Sequence, residues 1–84
     1  MRVRENPEFA AFARRVIRAH GARVANGDVE GLADLLKLQT EVNEALASAV
    51  GQLRGRWGYS WADIATRLGM SRQAAHQRWG REEA

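Results

Sequence analysis

Few side chains in this sequence could make or break a covalent bond. There is no Cys, and the two histidines, His20 and His76, are far apart in the chain. No Gly-rich phosphate loop appears, and no pair of carboxylates has metal-ligand spacing. This pattern reads against an enzyme, and no metal or cofactor is expected. What remains is a group of planar hydrogen-bonding side chains, Arg72, Gln73, His76 and Gln77, within Ser60–Gly80, SWADIATRLGMSRQAAHQRWG. Their chemistry is that of recognition: guanidinium donors, amide donor–acceptor pairs and an imidazole.

The elements that must position them are two short helices, expected over 60–68 and 71–80, joined by a tight turn at Gly69-Met70-Ser71. Ser60 is a helix cap, and Asp63 three residues on approximates a capping box, with Asp in place of the usual Glu. That role suits Asp63 better than general acid chemistry. Ile64, Ala65 and Leu68 share one side of the first helix. Gly69 supplies the backbone freedom that a sharp turn needs. Ser71 caps the second helix, in which Ala75 and Trp79 are spaced to face the first. Small Ala65 and Ala75 would let the two helices cross closely.

This pattern resembles the helix-turn-helix of bacterial and phage transcription regulators and the −35-reading region of sigma factors. The resemblance rests on I-A-x-x-L-G-M-S-R-x-x-A, residues 64–75, and covers about a quarter of the chain. The wording GYSWADIATRLGMSRQAAHQRWG also looks like the C-terminal segment of small actinobacterial DNA-binding proteins. One departure is Arg78, where the family usually has an aliphatic core residue; Trp79 is the candidate to take over that packing. The resemblance implies that the second helix enters the DNA major groove with its N-terminal residues toward the bases. Arg72, Gln73, His76 and Gln77 would then contact bases, Arg pairing with guanine and Gln with adenine. For His76, the alternative is a solvated side chain. Arg56, Ser60, Arg67, Ser71, Arg78 and Arg81 would contact phosphates, which position a protein without reading sequence.

Two helices cannot bury their own apolar faces, so the rest of the chain must support them. Asn6-Pro7-Glu8 reads as a helix start, with Asn as cap and Pro at the first helical position. Phe9, Phe12, Ala13, Val16 and Ile17 follow at helical spacing, with His20 and Val24 continuing the stripe. His20 reads as a packed or interface residue rather than a metal ligand. The flanking Arg14, Arg15 and Arg18 read as a solvated face. Asn26-Gly27 ends this helix, expected over 7–25. Asp28 is a cap candidate for a second helix over 29–55, about 40 Å long at 1.5 Å per residue. Its apolar positions recur at steps of three and four, a heptad-like seam on which Leu35, Gln39, Val42 and Leu46 lie. That seam either packs on the first helix within one chain or pairs two chains. The short first helix favours the second reading. Val50 and Leu53 are expected to close the third side of the C-terminal core. Trp57, Tyr59, Trp61 and Trp79 read as core aromatics rather than base-stacking platforms.

The expected fold is therefore all-α, one domain of four helices. Residues 1–45 form a helical, oligomerising part and 46–84 the helix-turn-helix part. With 84 residues and no Cys, a single core is only marginally stabilising and oligomerisation is the available staple. No apolar run reaches membrane-spanning length, and Met1-Arg2-Val3-Arg4 leads into no signal-peptide core. A soluble, cytoplasmic, nucleoid-associated protein is expected.

The net charge of +3 hides a segregation. Residues 1–23 hold six Arg and two acids (+4), 24–50 one Lys and five acids (−4), and 51–81 six Arg and one acid (+5). Basic ends suggest faces that meet a polyanion. Arg supplies twelve of the thirteen basic residues, which suits bidentate phosphate and guanine contacts and equally suits a GC-rich genome. The leading expectation is sequence-specific binding of double-stranded DNA by a homodimeric transcriptional regulator. The alternatives are a protein-interaction adaptor, antitoxin-like or sigma-like, with an as yet unspecified protein partner, and a nucleoid protein of low specificity.

Overall fold

The computed structural model describes residues 6–83, and among them the fold is all-α. The helices are α1 (Asn6–Ala25), α2 (Gly31–Gly55), α3 (Trp61–Leu68) and α4 (Arg72–Trp79), followed by a 3-10 turn, Gly80–Glu83. None is long and apolar enough to cross a membrane. The chain divides into two compact units, Met1–Thr40 and Glu41–Ala84, with the boundary inside α2.

In the first unit, Asn6 lies within α1 rather than capping it from outside. Arg2 and Arg4 of the basic N-terminal segment lie outside the described residues. The second helix begins at Gly31, two residues later than expected, and Asp28 is not its cap. Instead the Asp28 carbonyl accepts from the Gly31 N–H at 3.0 Å, and the Val29 carbonyl accepts from Leu32 at 3.1 Å. The reason lies in the packing. Gly27, at φ 118°, reverses the chain and brings Gly31 against α1. A Cβ at Gly31 would stand 2.7 Å from a Val24 methyl and 3.4 Å from the His20 ring. Gly31 is thus buried at a close approach of backbone to side chain, and His20 is half-buried beside it, as a packed residue should be.

α1 buries none of its residues. Phe9, Phe12, Val16 and Ile17 form the apolar stripe the spacing predicts, yet all four are exposed. On α2, Gln39 and Val42 are exposed, while Leu35 and Leu46 are half-buried.

The second unit holds the hydrophobic core: Val50 from α2, Trp61, Ile64 and Ala65 from α3, and Ala75 from α4. Met70 and Trp79 pack against it half-buried. α3 and α4 pack closely as a helix-turn-helix, with the alanines at the crossing as expected. Val50 closes the third side; Leu53 and Leu68 do not, and both are exposed. They line an apolar groove of about 230 Å³ with Leu46, Tyr59 and Ile64, and Arg67 at its edge.

Local chemistry explains the two short helices. The Ser60 hydroxyl accepts from the Asp63 N–H at 3.0 Å, and the Asp63 carboxylate accepts from the Ser60 N–H at 3.0 Å, a complete capping box. At the other end, Gly69 takes the left-handed conformation (φ 67°). The Met70 N–H then reaches the Ala65 carbonyl at 3.1 Å and the Gly69 N–H the Thr66 carbonyl at 3.3 Å. These are the two bonds of a Schellman motif, and Met70 packs on the core behind them. Ser71 restarts the chain as a cap, its hydroxyl accepting from the Ala74 N–H at 3.0 Å.

Candidate nucleic-acid interface

α4 is too polar to be held by a broad apolar face. It docks through Ala75, fully buried, and through Trp79 one turn on. At about 100° per residue, Gln73 and Gln77 stand about 160° from Ala75, on the side away from the core. Arg72, Gln73, His76 and Gln77 are all exposed. Arg72, Gln73 and His76 border one shallow surface depression, and His76, Gln77 and Arg81 border the next. The four residues expected to contact bases therefore share one continuous surface.

His76 is also a packing residue. Its ring meets Trp61 edge-to-face, centroids 5.5 Å apart and planes at 88°. A Cβ at Gly80 would lie 2.9 Å from the same ring. The imidazole is thus oriented by Trp61 and Gly80 while its remaining surface faces solvent, so it is not simply a solvated side chain.

The two helix starts differ electrostatically. At α3, hydrogen bonds from the Ser60 backbone and hydroxyl, in that order, and then Arg67 hold the Asp63 carboxyl below its ordinary range. This carboxylate already neutralises the positive helix terminus and uses the Ser60 N–H. α4 has no acid in its first turn, and Arg72 is its first residue. Of the two termini, that of α4 is the one open to an anion.

Four arginines of the second unit lie over aromatic rings. Arg54 lies 4.6 Å over Trp61, Arg56 5.5 Å over Trp57, Arg67 5.5 Å over Tyr59 and Arg78 4.9 Å over Trp79. Arg67 also donates to the Asp63 carbonyl at 2.9 Å. Stacking restricts each guanidinium plane, which lowers the entropy lost when its edge binds an oxyanion. Arg78 is exposed, and Trp79 fills the core position that an aliphatic residue would take. Trp61 and Trp79 are core, as expected, but Trp57 is 65% exposed against 6% for Trp61, and Tyr59 is exposed too.

Arg54 is the residue that sequence reasoning missed. Besides covering Trp61, it donates to the Tyr59 carbonyl at 3.2 Å, tying the end of α2 to the turn before α3. Its position in the last turn of a helix, followed by a glycine-rich turn, was the available signal. No protein-family model matches the chain, and neither does a curated protein or a solved structure.

Proposed function

We propose that this protein binds double-stranded DNA sequence-specifically, as a homodimeric transcriptional regulator that reads the major groove with α4. The observation that carries the reading is the face of α4 opposite Ala75. Gln73 and Gln77 point outward there, flanked by Arg72 and His76, at a helix whose N-terminus has no acid. Gln amides pair with adenine and Arg with guanine in the major groove. Ser71, Arg81 and the ring-packed Arg56, Arg67 and Arg78 would serve as phosphate contacts. Ser60 is the weakest of that set, since Asp63 places a negative charge at its helix start. The resemblance of residues 64–75 to helix-turn-helix regulators agrees with this assignment.

The homodimer is supported by the exposed stripe of α1 and by Val42 on the α2 seam. Arg14, Arg15 and Arg18 border the stripe on α1, whereas Asp34, Glu41 and Glu44 lie along α2. An antiparallel exchange between copies would join apolar surfaces and opposite charges together. The paired recognition helices would then meet half-sites about 34 Å apart. A cytoplasmic, nucleoid-associated location follows from this role.

The test is an anisotropy titration against random duplex DNA, followed by selection of preferred duplexes. Binding should fall steeply with added salt, because arginine contacts release counterions. A Gln73→Ala, Gln77→Ala variant should retain random-duplex affinity and lose about tenfold or more of its preference for selected duplex. Absence of binding near ~50 mM salt would overturn the proposal. Affinity without any preference would replace it with a low-specificity nucleoid role. A second reading, a protein-interaction adaptor of antitoxin-like or sigma-like kind, is favoured by the exposed groove of Leu46, Leu53, Tyr59 and Leu68. It predicts that Leu68→Lys abolishes partner capture and spares DNA affinity.

A further inference from the structure

His76 joins the two parts of the exposed α4 surface. It borders the depression beside Arg72 and Gln73 and also the one beside Gln77 and Gly80. The orientation of its ring therefore sets what both depressions present. Two neighbours in the second unit hold that ring. Trp61, buried in the core, meets it edge-to-face with centroids 5.5 Å apart. Gly80, whose N–H donates to the His76 carbonyl, presents its bare Cα to the Cδ2–Nε2 edge. Both ring contacts are apolar, so neither consumes a ring nitrogen.

The backbone does not require glycine at residue 80. Its φ of −74° and ψ of −15° are helical values that any L-residue adopts. Glycine is even the poorer choice there, since it loses more conformational freedom on folding than alanine. What requires glycine is the imidazole. A Cβ at residue 80 would stand 2.9 Å from Cδ2, 3.0 Å from Nε2 and 3.2 Å from Cγ of His76. The ring would have to leave its present orientation. The fold would not, because α4 docks through Ala75 and Trp79. Nε2 is also the ring nitrogen farther from the backbone, the one that a base edge would reach. In the major groove a purine offers N7 as an acceptor, and a pyrimidine has no such atom.

We propose that Gly80 is a positioning residue for base recognition: with Trp61 it holds His76 so that Nε2–H donates to the N7 of a purine. The inference rests on the DNA reading of α4 and adds to it the atoms of one contact. Preorganisation is what the clamp contributes. A free imidazole would lose rotamer freedom on binding, whereas a clamped one has lost it already.

The experiment uses the full-length protein and its selected duplex, with each purine in turn replaced by the 7-deaza analogue. That analogue lacks the N7 acceptor and keeps the Watson–Crick edge. Certain replacements should weaken parent binding by about tenfold, and at one of these positions His76→Ala should erase the penalty. Gly80→Ala should erase the same penalty while random-duplex affinity and helical circular dichroism stay at parent values. A glycine with a merely structural role would not move that position-specific readout. NMR of the free protein reads the ring without DNA. Side-chain couplings of His76 should report one χ1 rotamer in the parent and a different or averaged one in Gly80→Ala. An averaged rotamer in the parent would overturn the proposal and leave the DNA reading standing. So would a penalty that survives Gly80→Ala, or the lack of any position at which His76→Ala removes one. Absence of any preference among duplexes would overturn the DNA reading and this proposal together.

Discussion

Among the described residues, the buried hydrophobic side chains Val50, Trp61, Ile64, Ala65 and Ala75 all lie beyond residue 40. Before it, Phe9, Phe12, Val16, Ile17, Leu32 and Leu36 remain 43–65% exposed. Both units have helical apolar spacing, so periodicity does not separate them. What separates them is how far the described apolar residues are buried. In the second unit, two alanines allow α3 and α4 to approach closely, and caps at Ser60, Gly69 and Ser71 fix the angle of approach. In the first, α1 ends in a reversal with a close contact at Gly31, and Phe9, Val16 and Ile17 of its stripe remain exposed. An amphipathic helix with no buried residue derives little stability from packing, which supplies most helical stability in proteins. The difference teaches that helical apolar spacing alone does not make a core: the second unit buries a hydrophobic cluster, and Phe9, Val16 and Ile17 of α1 stay exposed.

Removal of Trp61 is the strongest way to break this comparison. Trp61→Ala should destabilise the second unit by about 3–5 kcal/mol, the usual loss for a buried Trp. In a domain this small, that amounts to unfolding, read as loss of cooperative urea denaturation. Trp57→Ala is the internal control and should stay within about 0.5 kcal/mol of the parent, because Trp57 is exposed. Equal effects would mean that the second unit does not owe its fold to this core.

These two tryptophans also show how far the sequence could be read. Residue type alone put both in the core; Trp61 does stand three and four residues before Ile64 and Ala65, on one side of α3, a spacing that supports its burial. Trp57 has no such neighbours, and grouping it with the core followed from residue type alone. The caps at Ser60 and Ser71 were legible because each involves residues within a few positions of one another, as did the left-handed turn at Gly69; those expected at Asn6 and Asp28 were not found. The all-α class was legible for the same reason. The start of α2 was not, because it depends on Gly31 meeting Val24 and His20 across a turn. Leu53 and Leu68 have core-like spacing, but α3 meets α2 at Val50 and leaves them on a groove. The exposed face of α4 could be read from Ala75 outward, whereas the arginine–aromatic stacks could not. They join residues such as Arg54 and Trp61 whose pairing is set by the packing of α3 against α2.

A smaller effect should come from the capping box that fixes α3. Ser60→Ala should lower stability by about 1 kcal/mol. Asp63 supplies a pH signature. Its carboxyl titrates lower in the folded protein, first because of its hydrogen bonds to Ser60 and then because of Arg67. The charged form is therefore the one folding favours. That contribution is complete above the unfolded-state value and is lost as pH falls through the folded-state value. Thermal melts across the acid range should show a decline in stability that Asp63→Asn flattens. A decline of equal slope in the variant would assign it to other carboxylates. The same melts followed at an α1 probe should show no Asp63-dependent change, if the two units are stabilised as separately as their cores imply.

The smallest effect on folding should accompany the largest effect on assembly. Phe9 and Val16 are exposed on α1, so Phe9→Gln with Val16→Gln should change the stability of an isolated chain by no more than about 0.5 kcal/mol. Gln is also a good helix former, so α1 itself is preserved. In sedimentation velocity the parent should run as a dimer, and the double variant as a monomer at the same concentration. If acids along α2 of one copy face Arg14, Arg15 and Arg18 of another, dimerisation should weaken with salt, since exposed pairs are screened. A parent that stays monomeric at ~100 µM would remove the dimer and its half-site spacing together. A variant that stays dimeric would move the interface from the α1 stripe to the α2 seam, where Val42→Gln becomes the deciding substitution. Either result leaves the α4 face intact, because the core beneath it is built from α2, α3 and α4.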